Sequence, residues 1–291
     1  MPNLKSIKVR IKSIKSTQKI TQAMKLVAAS KVRKAQIKVL NSRPYSQKIN
    51  DFVINTVSGM PEADRQEFPL MSQRSVTSVG IIVISSDRGL CGSYNTNIVK
   101  KASRRILELE KSGIKPKLIL IGNKANNFFR RAKVEILESF TQIPATPTVE
   151  LANLIAGVAE KSFIEKQVDQ VEIIGTDFIS MLRNEVYIKH FLPIKEQNTE
   201  KNSTSKAEVL FEPSLNSVLE FLLPLYLSNI VYHALLEAST SELASRMNAM
   251  SNATKNAKEL IDGLSIVYNK ARQAAITQEL TEIVGGVEAL S

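Results

Sequence analysis

The sequence is poor in the residues that usually fix a catalytic or metal centre. Cys91 is the single cysteine, so no internal disulfide can form. The two histidines, His190 and His233, lie far apart and offer no recognised metal-ligand spacing. Tryptophan is absent and aromatics make up only 5% of the chain, whereas Ala, Leu, Ile, Lys and Ser are plentiful. That balance favours helices packed through small aliphatic side chains. No uncharged apolar run approaches the roughly 20 residues that span a bilayer, and the start lacks the apolar core of a secretory signal. The expectation is a reducing, cytosol-facing protein that meets a membrane only through partners.

Acidic residues are missing from one region altogether. Residues 1–50 hold 13 Lys and Arg and no Asp or Glu, while the remaining residues carry 26 basic against 28 acidic side chains. The first 50 residues therefore own the whole imbalance, and something acidic is expected around them. A transit peptide, a nucleic-acid arm or a helix docking on an acidic protein surface would each explain it. Periodicity separates these readings. Leu4, Ile7, Ile11, Ile14, Gln18, Thr21, Lys25, Ala28, Val32, Ala35 and Val39 follow alternating steps of three and four. That is a heptad seam with polar breaks at Gln18, Thr21 and Lys25.

The same spacing returns at the other end as Leu243, Met247, Met250, Thr254, Ala257, Ile261, Leu264, Tyr268, Ala271 and Ala275. Alanines in this seam allow close approach of a partner backbone. Helical periodicity extends back toward Leu225, and Pro224 is expected to kink the helix or mark a fresh start. From Leu225 to Ile283 such a helix would run roughly 90 Å, longer than the N-terminal one. Neither helix is expected to stand alone, and the natural arrangement is an antiparallel pair within the chain. The overhanging tip, with Ile276, Leu280, Ile283, Val284, Val287 and Leu290, would then be apolar without an intramolecular cover.

Between the helices, Gly59, Pro61 and Pro69 mark a loop over 59–75. Strands are expected at about 75–87, 117–122, 171–178 and 185–194, and helices at 93–112, 124–132 and 148–166. The organisation is thus an N-terminal helix (1–58), a small Rossmann-like α/β domain with a mostly parallel sheet (76–197), and a C-terminal helix (207–291). The loop Ser86–Asn95 occupies the strand-to-helix position of a phosphate loop. It lacks both GxGxxG and GxxxxGK[ST], so tight turns explain its glycines and no cofactor is expected. Cys91 has no base beside it in sequence and reads as a buried structural residue.

Three ordered stretches carry a family resemblance: Ile20–Lys31, SSDRGLCGSYN at 85–95, and YNKARQAAITQELTEIVGG at 268–286. Together they resemble the gamma subunits of F-type, proton-translocating ATP synthases. The resemblance implies a non-catalytic central-stalk rotor that couples proton flow through a membrane ring of c subunits to conformational change at catalytic sites in beta. Its implied partners are the alpha and beta subunits in a hexamer around the coiled coil, the epsilon subunit and the c ring, with no nucleic acid. Its implied place is the cytoplasmic face of a bacterial inner membrane, or the matrix face in a mitochondrion.

By the same resemblance, Met24, Lys25, Arg246, Arg272, Gln273 and Thr277 are expected to touch the hexamer, and Glu208, Leu210, Phe211 and Glu212 the c ring and epsilon foot. Only Phe211 is aromatic in that last stretch, where other family members are richer. Two other classes compete: a basic coiled coil that binds nucleic acid through residues 5–48, and a nucleotide-using α/β enzyme.

Overall fold

The computed structural model describes residues 4–61, 65, 67–194 and 214–288. Helix α1 (Leu4–Gly59) is followed by a 3-10 turn at Pro69–Met71 and strand β1 (Ser78–Ile84). Then come α2 (Tyr94–Lys111), β2 (Lys115–Ile121), α3 (Asn123–Phe129), β3 (Glu135–Phe140) and α4 (Val149–Ile164). Strands β4 (Gln170–Phe178) and β5 (Asn184–Leu192) precede the long helix α5 (Leu215–Glu288). The chain divides into two compact units, Met1–Ser30 with Arg246–Ser291, and Lys31–Ser245. Both α1 and α5 contribute residues to each.

In the unit Lys31–Ser245, the five strands lie in the order β3-β2-β1-β4-β5. The first four pair in parallel, and β5 returns antiparallel to β4. Strand β1 is buried at every position, as a central parallel strand covered on both faces must be. Alternate residues serve the two faces. Ile82, Ile84, Ile119 and Ile121 pack with α4 and with the α1 and α5 residues of this unit. Val79, Ile81, Val83, Leu118 and Leu120 pack with α2 and α3 instead. Helix α4 starts at Thr148, whose hydroxyl accepts from the Leu151 N–H at 3.4 Å, with Glu150 complementing the positive helix end.

Strand β3 was not expected from the sequence. It is an edge strand with two glutamates, and most of its side chains are exposed or half-buried, so alternation of apolar residues is weak. Nor does α5 begin afresh after Pro224. The helix starts at Leu215 and continues through that proline. One lost backbone hydrogen bond is offset by the buried face formed by Leu219, Leu223, Tyr226 and Leu227. Pro44 sits likewise inside α1.

Within this unit α1 and α5 run in opposite directions. Val32 clusters with Leu243 and Ala244, Arg43 pairs with Glu237, and Asn50 accepts from the Tyr226 hydroxyl. The partner number falls as the α1 number rises.

Candidate partner interface on the helices

The unit Met1–Ser30 with Arg246–Ser291 contains no strand among its described residues. Its heptad positions behave as their spacing requires. On α1, Ile7, Thr21 and Ala28 are buried, while Leu4, Ile11, Ile14, Gln18 and Lys25 are half-buried. On α5, Met250, Ala257 and Ile261 are buried, and Thr254, Leu264, Tyr268, Ala271 and Ala275 are half-buried. The buried small residues Ala28 and Ala257 leave little bulk between the backbones. Thr21 and Thr254 meet across this seam at 2.8 Å.

Exposed faces of the unit differ in charge. The α1 portion carries Lys8, Arg10, Lys12, Lys15 and Lys19 on its surface and no acidic residue. The α5 portion mixes both signs, with an i,i+4 pair between Lys255 and Glu259 at 3.9 Å. A surface pair of this kind contributes at most about 1 kcal/mol, so the basic α1 face is the stronger electrostatic feature.

Burial on α5 stops after Ala275. Ile276, Leu280, Ile283 and Val284 are 48–63% exposed, on a stretch where every described side chain from Ile276 to Gly286 is exposed. This is an apolar stripe that the described residues of the chain leave uncovered.

All six residues expected to meet the hexamer fall in this unit. Met24, Lys25 and Arg246 are half-buried; Arg272, Gln273 and Thr277 are exposed. The Thr277 hydroxyl donates to the Gln273 carbonyl at 2.9 Å, which leaves both side chains on the outer surface of one helical turn. The structure does not gather the six into one spot. Helices that run in opposite directions share a level where residue numbers add to 275, as those of Thr21 and Thr254 do. On that register Met24 and Lys25 lie close to the level of Arg246, whereas Arg272, Gln273 and Thr277 lie at levels beyond Leu4, where α1 begins. Two groups therefore sit near opposite ends of the unit. Glu208, Leu210, Phe211 and Glu212 lie outside the described residues.

The loop Ser86–Asn95 spends its polar groups on itself and its neighbours. The Asp87 carboxylate accepts from the Asn123 N–H at 2.8 Å and the Ile143 N–H at 2.5 Å. Asn95 accepts from the Ser86 N–H at 3.1 Å and donates to the Ser86 hydroxyl at 2.8 Å and to Cys91 Sγ at 3.1 Å. Cys91 is buried, and Gly92 takes a φ of 60° that a tight turn needs. Left-handed Leu90 shares that conformation, a feature that no motif pattern suggested.

A cleft of about 830 Å³ in the unit Lys31–Ser245, lined among others by Arg43, Asn50, Tyr187, Tyr226, Asn229 and His233, was also not foreseen. These residues come from α1, β5 and α5, so only the tertiary fold brings them together. Burial, reinforced by Arg43 and Lys189, holds the His233 imidazole below its usual value despite Glu237 nearby.

Residues 3–290 match the family model described as ATP synthase. The ATP synthase gamma chain of Trichormus variabilis is 43% identical, with 100% of both chains covered. The gamma chain of Nostoc sp. matches equally, at 43% with 100% of both chains covered. The chain belongs to the ATP synthase gamma-chain family. Among solved structures, it is similar to a chain of the central stalk and c ring of Tetrahymena thermophila mitochondrial ATP synthase. That chain is 28% identical with a TM-score of 0.61, over 80% of this chain and 99% of that one. A chain of the Euglena gracilis mitochondrial ATP synthase shares the fold, with a TM-score of 0.67 at 20% identity over 99% and 94% of the two chains. The helical termini and the central mixed sheet are thus common to gamma-chain relatives and this protein.

Proposed function

We propose that this gamma-family chain is the central-stalk rotor of an F-type ATP synthase, with its terminal helices forming an antiparallel coiled coil and the α/β domain (76–197) inserted between them. The helix pair turns inside a hexamer of alpha and beta subunits. The α/β domain faces the epsilon subunit and the c ring, on the cytoplasmic side of a bacterial membrane or its organellar equivalent. The chain carries no active site; its part is to present a changing surface to the catalytic beta subunits as proton flow turns the ring.

One observation carries this reading: beyond Ala275 the α5 helix continues as an uncovered apolar stripe. A soluble monomer rarely leaves such a stripe open unless another surface receives it. The basic α1 face adds long-range attraction toward acidic neighbours, while exposed Lys side chains give only weak individual pairs, so rotation is not stalled by fixed contacts. Met24, Lys25 and Arg246 supply one contact level with the hexamer and Arg272, Gln273 and Thr277 the other.

Removing the residues after Ala275 tests the reading. The shortened chain is expected to lose only the helix signal of the removed turns and to keep its melting temperature, because the removed stripe is uncovered by the described residues of the chain, and to assemble poorly with the alpha and beta subunits. Assembly and ATP-driven proton pumping equal to the parent would overturn the proposal.

A further inference from the structure

Glu237 on α5 is only 3% exposed, in the unit Lys31–Ser245. Its Oε1 accepts from Arg43 Nη2 at 3.0 Å and from Arg43 Nε at 3.3 Å. Its Oε2 accepts from the backbone N–H of Phe178 at 2.9 Å. Arg43 Nη2 in turn reaches the Phe178 carbonyl at 3.5 Å. One carboxylate thus joins α1, the end of β4 and α5. The next residue, Ala238, receives the Tyr94 hydroxyl from α2 at 3.1 Å through its carbonyl.

Stability alone does not explain a buried charge here. The Arg43 side chain is 40% exposed, so solvent screens part of its attraction to Glu237, and replacing such a pair by apolar side chains of similar volume is often neutral or stabilising, since desolvation of the carboxylate offsets most of the attraction. Val53, Val57, Leu227, Val231, Ala234 and Leu235 already supply apolar burial between these helices and the sheet. What apolar contact lacks is direction, because its free energy follows area and tolerates sliding. Hydrogen bonds weaken steeply when distance or angle departs from the optimum. Three bonds on one carboxylate, from two different elements, resist displacement of α1 and α5 along or around each other in a way that the surrounding core does not.

We infer that Arg43, Glu237 and the Phe178 backbone form a positioning lock that stiffens the two helices against twist relative to the sheet. The inference rests on the rotor reading, in which torque passes between the α/β domain and the helix pair. Neither side chain is catalytic; each acts by holding the helices in register while load is applied.

The experiment uses the assembled complex with its alpha–beta hexamer fixed to a surface and a bead attached to the α/β domain of this chain. Without ATP, the angular fluctuation of the bead reports torsional stiffness. The apolar double variant R43M/E237L is expected to assemble, to melt somewhat below the parent temperature because the buried Phe178 N–H loses its acceptor, and to show an angular variance larger by about twofold or more, because apolar packing is retained and the directional bonds are lost. R43K, which keeps a charged donor, should fall between. An assembled R43M/E237L complex with the parent variance overturns the inference. Should that variant fail to assemble, E237Q keeps the shape and one acceptor oxygen but loses the charge, and parent variance in it overturns the inference equally. Failure of the parent bead to rotate under ATP would instead defeat the rotor reading, independently of the lock.

Discussion

The hydroxyls of Thr21 and Thr254 lie 2.8 Å apart in the seam between the terminal helices, and each also approaches a carbonyl of its own helix. Thr21 reaches the Gln18 carbonyl at 3.0 Å and Thr254 the Met250 carbonyl at 2.8 Å. Three contacts compete for two hydroxyl protons, so one contact is always without a proton. The two residues must therefore be coupled. In a double-mutant cycle, T21V and T254V are each expected to cost about 0.5–1.5 kcal/mol. The double variant should cost less than the two singles added, by about 0.5 kcal/mol or more, because removing one hydroxyl already ends the shared bond. Chemical denaturation of the full chain measures all three, and strict additivity would show that the hydroxyls act independently.

Gly122 and Gly263 make opposite demands. Gly122 has a φ of 90°, and a Cβ there would meet the Ser85 carbonyl oxygen at 2.5 Å. Backbone cannot step aside, so G122A should destabilise the chain by at least about 1–3 kcal/mol from conformational strain alone. Gly263 lies within α5, where an added Cβ meets nothing within 4 Å. G263A should stabilise by about 0.5–1 kcal/mol through helix propensity. Thermal melts of the two variants on either side of the parent check both signs. A destabilised G263A would mean that this turn of α5 needs glycine for a reason outside the chain's own packing.

The terminal helices were legible in the sequence because a heptad is a local pattern: its steps of three and four fix which side of one helix is buried. Every seam position from Leu4 to Val39 and from Leu243 to Ala275 is buried or half-buried. The central parallel strands were legible because double-sided burial leaves a run such as SVGIIVI. Edge strand β3 was not, since solvent on one side admits Glu135 and Glu138 and dilutes the signal. Whether α5 runs through Pro224 or starts afresh there was left open by the sequence, because the compensation is tertiary, from a buried face that the proline's neighbours share with the rest of the core. For the same reason the Arg43–Glu237 pair, separated by 194 positions, left no trace in any motif. The residues proposed to meet the hexamer came from the family resemblance, as nothing in local periodicity marks Arg272 or Gln273.

Arg272 and Gln273 are exposed on the last turns of α5 before the covered seam ends. Replacing both by alanine should leave chain stability within about 0.5 kcal/mol of the parent, as is usual for surface positions. ATP synthesis by the reconstituted complex is expected to fall by roughly threefold or more, the scale of losing one weak ion pair of about 0.7 kcal/mol at the moment of load. Nucleotide affinity of isolated beta should not change. Synthesis at the parent rate would remove both residues from the interface.

Asp169 gives the chain a defined acid sensitivity. Burial alone would raise its carboxyl, but hydrogen bonds from the Thr77 N–H and hydroxyl at 2.9 and 2.7 Å and from the Ser78 N–H at 2.9 Å outweigh it and hold the group below the 3.8 of an ordinary aspartate. Arg74 adds an ion pair at 3.2 Å. A carboxylate depressed by folding stabilises the folded state fully above its unfolded value, and that contribution disappears as pH falls from there through the folded value. Denaturation midpoints measured from pH 6 down to pH 2 should therefore drop below about pH 4 in the parent. D169N lacks this proton uptake, so it should be less stable than the parent at pH 6 and the gap should close toward pH 2. A constant gap across that range would mean that the asparagine variant loses packing or geometry, and that the charge of Asp169 contributes nothing to the hold between β1 and β4.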